Sequence, residues 1–506
     1  MRRTSLILAT AMTATIAASA PAGAATSLVT VSGPSPYAGC SDVGQPGTVY
    51  TNAEVEPSVA VNPATVGTGR VNVIGTWQQD RWSNGGARGL VAGFSNDGGA
   101  TWGETSLPFS GCAPNPILDP FTGTPFNRAS DPWVSIGPDG TAYTVGLLAT
   151  NSTVSGNNDT AVATVTSTNG GSAWDNPRII KVDQGTSPVF EFTQFFNDKE
   201  SITADPVHAG TAYVVWDRLV APSHSPDADL RAHAFRGPTW FSKTTDGGKT
   251  WTGTRPVFDP GQNSQTIGNL VVVDPRTGTL YDFFELFQTT GSPKFTPRGS
   301  SVSLITSTDG GDTWSGPSVV SAQQTVDDVD PNTGAPIRTA EGIPSVAIDA
   351  ATGQLYVVWE DARFTSGTVN QAVISTSTDG GRTWSAPAPV STATGRPAFT
   401  PTVAVGGDGT VAVTYYDFRN LAAGNTTTLP TDVWLKKAPR GGAFGPDSHL
   451  AGSFNMLVAP FAGGFFVGDY EAIGVNGSTF LPFFVQTNCT DNSCTANRTD
   501  VYAASS

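Results

Sequence analysis

Charge is scarce in this sequence. Only 14% of residues are Asp, Glu, Lys or Arg, against about a quarter in a typical soluble domain. Helical patterning is missing as well: no long stretch repeats apolar residues at helical spacing. There are four histidines and four cysteines, and the cysteine spacing does not match a zinc site. Beyond the N-terminal residues, no apolar run is long enough to span a membrane as a helix. Basic residues are outnumbered, 27 against 42 acidic ones, giving a net charge of −15. That balance argues against nucleic acid or an anionic membrane as a partner.

Glycine (57) and proline (37) are plentiful instead, which favours many short strands joined by turns. The chain begins with Arg2 and Arg3, the mostly apolar run Leu6 to Ala18 and the small residues Ala22-Gly23-Ala24. That order predicts a secretory signal peptide over 1–25. The expected mature chain, 26–506, is a single exported domain. An even number of cysteines in an exported chain suggests disulfides. Cys489 and Cys494 are close enough to close a small loop, which leaves Cys40 to pair with Cys112.

One eight-residue pattern occurs five times: Ser95 to Trp102, Ser167 to Trp174, Thr244 to Trp251, Ser307 to Trp314 and Ser377 to Trp384. The last copy reads STDGGRTW. Each follows a short alternating run, so each is expected to be a strand entering a tight turn. The Asp or Asn accepts backbone N–H bonds, the glycines take positive φ, and the Trp packs beneath the hairpin. Ahead of each copy lies an inner strand, a turn and a second strand, as in Glu56 to Val61 followed by Val71 to Trp77. Seven such units recur at a spacing of roughly 70 residues.

The eight-residue pattern resembles the Asp box of the sialidase-like β-propellers. The resemblance implies an all-β fold, a β-propeller of four-stranded blades. Seven blades fit the repeats and six are the alternative. Unit seven runs out before its fourth strand, so Ser27 to Tyr50 is expected to supply it beside Asp500 to Ala503, closing the ring. If the boxes join the third strand to the outermost one, the connections entering the inner strands lie on the opposite face. The unusual charged residues collect there: Glu56, Arg128, Asp131, Lys199, Glu200, Arg338, Glu341, Asp469 and Tyr470 before inner strands, and Asp80, Arg81, Arg363 and Arg419 after second strands. The recurring Asp-Arg and Asp-x-Arg pairs favour a structural reading. The non-recurring Arg128, Arg338, Glu341 and Tyr470 favour a functional one.

In the resembled family three arginines hold a substrate carboxylate, a Tyr activated by a Glu is the nucleophile, and an Asp is the acid. Carried over, Tyr470 matches the Tyr at the start of the last inner strand. Glu341 or Glu200 would activate it, and Asp131 or Asp80 would be the acid. Arg128 and Arg338 would bind the carboxylate, with Arg363 or Arg419 as the third arginine. The pattern departs at the first inner strand, where Val55-Glu56-Pro57 stands in place of the family's Arg-Ile-Pro.

The expected function is exo-acting hydrolysis of a terminal, acidic sugar from a glycan. A non-catalytic glycan- or protein-binding propeller is the alternative, and a polysaccharide lyase using His224 or His233 is third. No cofactor and no catalytic metal are expected, with room left for a structural Ca²⁺. The chain is expected to act as a monomer.

Overall fold

The computed structural model describes residues 27–150, 159–184, 195–220, 236–289, 297–339, 341–491, 493–494 and 496–506. The signal-peptide segment, His224 and His233 lie outside them. The described strands group into four-stranded antiparallel units, labelled I to VII, with strands A to D counted outward. Unit I comprises Glu54–Val61, Val73–Arg81, Ala87–Ser95 and Gly103–Ser106. Unit II begins at Arg128–Ile136, unit III at Phe195–Ala204 and unit IV at Ser264–Val273. Units V, VI and VII begin at Ser345–Ile348, Ala398–Val405 and Ala472–Asn476. Each A strand contacts the next, and that of unit VII returns to that of unit I. The outermost strand of unit VII is Leu28–Thr30, paired antiparallel with Thr499–Ala504. The N-terminal segment thus covers an edge that would otherwise be unpaired.

The B strands carry most of the apolar weight, because sheets stack on both of their faces. Val73–Arg81 is buried along its whole length, and Trp77, Trp216 and Trp359 occupy B strands at 0% exposure. A buried indole N–H needs an acceptor. Trp77 donates to Gln79 Oε1 (3.0 Å), Trp216 to Asn197 Oδ1 (2.9 Å) and Trp359 to Asp361 Oδ2 (2.9 Å).

The five repeats form the C-to-D turns. Asp97 Oδ1 accepts from Thr101 N at 2.9 Å, and Asp246, Asp309 and Asp379 repeat the bond at 2.9 Å. Asn169 substitutes in unit II, accepting from Ala173 N at 3.0 Å. Both glycines of every repeat have positive φ. The second one also lies against the preceding unit. A Cβ there would meet Leu481, Ile74, Thr166, Phe241 or Leu304 in turn. The tryptophans reach the same way: Trp102 packs on Phe483, Trp314 on Phe241 and Trp384 on Phe283. The same indoles donate to the carbonyl of the second glycine in their own turn, at 2.9 Å for Trp102 and 3.1 Å for Trp314 and Trp384, so each of these closes its own hairpin as expected and reaches the neighbouring unit as well. The repeat clamps one unit onto the one before it.

Both expected disulfides are present, Cys40–Cys112 and Cys489–Cys494, with Cα separations of 5.5 and 6.2 Å. Among the described residues no helix is long and apolar enough to cross a membrane.

Candidate active site

The A strands do more than line a channel. In five units the strand slips register against its B strand, and a residue at the slip has positive φ: Glu56 (55°), Asp131 (49°), Lys199 (49°), Gly268 (69°) and Thr400 (48°). A β-bulge re-aims the side chain at that point. For a non-glycine residue the left-handed conformation costs about 1–2 kcal/mol. Glu56, Asp131 and Lys199 therefore sit strained at equivalent positions of consecutive units, and they meet. Lys199 Nζ lies 3.4 Å from Glu56 Oε1, 3.4 Å from Asp131 Oδ1 and 2.5 Å from Asp469 Oδ2. Arg338 donates to Asp469 from Nη2 (2.7 Å) and Nε (3.2 Å), and lies over the Phe466 ring.

Burial pulls the Lys199 ammonium down, but Asp131, Asp469 and Glu56 more than offset it and hold its pKa well above the ordinary value. Asp469 is held far below the usual carboxylate range, because Arg338 and Lys199 outweigh its burial. Glu56 moves the other way: burial lifts it despite Lys199. Asp198 is raised to about 6 by burial, opposed by Lys199.

This cluster forms one wall of a cavity of about 220 Å³. Arg81, Arg128 and Arg338 line it too. Arg81 and Arg128 are 3% and 1% exposed, yet neither has a carboxylate partner among the described residues. Arg81 bonds Gln78 Oε1 and the Gly86 carbonyl (3.1 and 2.9 Å), and its buried Nε has no acceptor. Arg128 donates to Gln45 Oε1 (3.0 Å), Asn84 Oδ1 (2.9 Å) and the carbonyls of Gly85 (2.7 Å) and Pro46 (2.5 Å), all neutral. Burial, then Arg81, pulls the Arg128 guanidinium down to about 10. A buried guanidinium whose hydrogen bonds all go to neutral acceptors is a ready site for an anionic one.

A smaller, apolar cavity of about 40 Å³ adjoins the cluster, lined by Trp133, Lys199, Glu200, Leu270, Ile343 and Tyr470 among others. Both Glu200 carboxyl oxygens are buried without a hydrogen-bond partner, and burial, followed by Asp131, lifts its pKa well above normal. Tyr470 packs on Trp133 and donates from Oη to the Pro132 carbonyl at 3.2 Å. The direct carboxylate bond expected of Tyr470 is not formed. Burial, with Glu56 and Asp131 nearby, raises its pKa instead of lowering it. A Tyr that does bond a Glu is Tyr416, to Glu471, but both are fully enclosed between units VI and VII.

The other expected residues separate. Arg363 folds back onto Asp361 (2.7 Å), and Arg419 onto Asp417 (2.7 Å) and Asp447 (2.9 Å) while covering Trp434. Neither lines the cavity that Arg128 and Arg338 share. The recurring Asp-x-Arg is a brace, because its Asp also holds the indole N–H of the buried Trp359 or the half-buried Trp434. Asp80 is enclosed, accepting from Arg88, Ser35 and Asn52. Glu341 stands with another group of acids; its pKa is raised to about 7 by burial and then by Asp327. Arg81, Lys199, Glu56 and Asp469 were grouped on this face by sequence but not singled out. The signal for Glu56 and Lys199 is the alignment of Glu56-Pro57, Asp131-Pro132, Lys199-Glu200 and Thr400-Pro401 at one strand position. Among the described residues no cluster of His, Cys, Asp and Glu suits a metal ion.

Units and mouth together define an all-β propeller of four-stranded units with a charge-lined pocket at one end. Part of the chain is 29% identical over 190 residues to a sialidase from Micromonospora viridifaciens. The match takes in 33% of this chain and 28% of that protein, so the chain spans little more than a quarter of that relative. No protein-family model matches. Solved structures similar in fold include a protein of unknown function from Dyadobacter fermentans (TM-score 0.45, 13% identity, 91% of this chain and 97% of that one). Another is an α-L-arabinanase from Penicillium chrysogenum (TM-score 0.43, 13% identity, 91% and 95%).

Proposed function

We propose that the protein is an exported, exo-acting glycoside hydrolase that removes a terminal acidic sugar from a glycan. The observation that carries this reading is the pair of buried guanidiniums, Arg81 and Arg128, facing a cavity without a carboxylate partner beside Arg338. A sugar carboxylate supplies the charged acceptor that neither guanidinium bonds within the chain, and a guanidinium fork suits its geometry. The sequence similarity to a sialidase supports the same class. In this reading Tyr470 is the nucleophile and Glu200, which shares its cavity, takes the phenol proton. Asp131, on the wall of the larger cavity, protonates the leaving oxygen. The Tyr470 hydroxyl must then exchange the Pro132 carbonyl for Glu200 when substrate enters.

The second reading is a propeller that binds an acidic glycan without turnover. The raised pKa of Tyr470 and its backbone bond favour that reading. A panel of chromogenic exo-glycosides, including a sialoside and a uronide, separates the two. Release of chromophore from an acidic sugar supports hydrolysis. Binding of the same sugars with no release from any member of the panel supports the second reading.

A further inference from the structure

The four bonds of Arg128 divide into two kinds. Nη1 is fixed by Asn84 Oδ1 and the Gly85 carbonyl, from the loop between strands B and C of unit I. The side-on edge, Nε and Nη2, holds two oxygens from one other segment: Gln45 Oε1 and the Pro46 carbonyl. That edge is where a guanidinium takes a carboxylate in a bidentate fork. Two neutral oxygens of the chain therefore stand where the two oxygens of a carboxylate would.

The segment carrying them is held at both ends. On one side the Cys40–Cys112 disulfide and the Asp42–Arg88 ion pair tie it to unit I. On the other, Thr48 N donates to Ser83 Oγ (2.9 Å) and Tyr50 N to the Arg81 carbonyl (2.8 Å). Between the anchors, residues 43–47 form a short arc at the surface, with Val43 91% exposed. Gly44 (φ 77°) and Gly47 (φ 94°) bracket Gln45-Pro46. Backbone that no Cβ restricts on either side gives those two residues room to swing while the anchors stay in place, once the bond from Gln45 N to the Asp42 carbonyl (3.1 Å) opens. The guanidinium itself is clamped from behind by the Trp82 ring, 4.4 Å away.

We infer that the arc 43–47 is an internal latch on the pocket, and that a sugar carboxylate binds by displacing Gln45 and Pro46 from the Nε–Nη2 edge of Arg128. This rests on the acidic-sugar reading of the pocket and adds its regulation. The exchange is favourable once the arc has moved, because charge-assisted bonds replace neutral-acceptor ones on a buried cation. The latch keeps Arg128 satisfied in the empty protein and lowers the apparent affinity by the fraction of molecules in which it is closed.

Titration calorimetry with N-acetylneuraminate and with glucuronate, on the wild-type chain, Gln45→Ala and Arg128→Met, tests it. Acetate serves as the arm for a carboxylate without a sugar. Gln45→Ala should bind the sugar acid about tenfold more tightly than wild type, from removal of one hydrogen bond to a charged group. Arg128→Met should not bind it. Amides 44, 45 and 47 of the wild type should exchange hydrogen faster when the sugar acid is bound. Equal or weaker binding by Gln45→Ala, or unchanged or slower exchange at those three amides, overturns the latch. If Gln45→Ala matches wild type while Arg128→Met fails to bind, the acidic-sugar reading stands without it. If Arg128→Met binds as well as wild type, or if no protein of the three binds either sugar acid, the reading falls and the latch with it. Acetate binding as tightly as the sugar acids would also overturn the sugar-specific form.

Discussion

Lys199 Nζ lies 2.5 Å from Asp469 Oδ2, a contact between residues 270 apart that ties unit III to unit VII across the mouth of the channel. The same ammonium touches acids of units I and II. One cation thus compensates carboxyl groups from three other units.

Replacing it should be costly. Lys199→Met leaves Asp131 and Asp469 without that compensation, and breaking such a buried set costs about 3–5 kcal/mol. The deficit should be larger at pH 8 than at pH 5, because the abandoned carboxyls can take up protons at low pH. Thermal unfolding of wild type and variant at both pH values checks this; a deficit that grows on acidification contradicts it.

Stability should fall as pH rises from about 5 to 8. Glu285 and Glu341 are each raised to about 7, in both cases chiefly by burial. A carboxyl with a higher pKa folded than unfolded, where it is about 4.3, contributes fully below the unfolded value and loses that contribution as pH passes the folded one. The repeat residues Asp246 and Asp379, held at about 2 by Thr250 and Thr383, act in the opposite sense and matter only as pH falls below about 4. Glu285→Gln should flatten the decline above pH 5. An unchanged slope of melting temperature against pH in that variant would show that Glu285 does not contribute.

Tyr470→Phe should leave the melting temperature nearly unchanged, since the hydroxyl makes one bond to a backbone carbonyl, worth about 1 kcal/mol. It should abolish release of an acidic sugar from a chromogenic substrate. A stable variant with full turnover would eliminate the Tyr nucleophile.

Arg338 and Arg363 each brace a buried Asp, and binding of a sugar acid should separate them. Arg338→Met removes a cavity-lining cation and should weaken binding of a sugar acid. Arg363→Met removes a brace on Asp361 and should cost about 1.5–3 kcal/mol of stability with binding intact. Melting curves and calorimetry on the two variants decide; loss of binding in a folded Arg363→Met protein would return that arginine to the site.

The repeats were legible because their requirements are local. Asp379, Gly380, Gly381 and Thr383 satisfy one another within a single turn. The Asp-x-Arg brace was legible through its recurrence. The hydrogen-bond partner of Tyr470 is not legible in the sequence, because Pro132 belongs to another unit 338 residues away. The arc at Gln45-Pro46 carries no local sequence signal at all: its partner, Arg128, is supplied by the next unit.

By itself, then, the sequence determined the strands, their turns and the face on which charge gathers, since each follows from residues a few positions apart. Tertiary structure alone decided which charges meet. Ring closure brings the bulged positions of successive A strands to one axis, and the strained Glu56, Asp131 and Lys199 are aimed inward together. Arg81 and Arg128 face the same cavity with no carboxylate bonded to them for the converse reason. Their partners depend on which loops of other units reach the mouth, and only the assembled ring sets those distances.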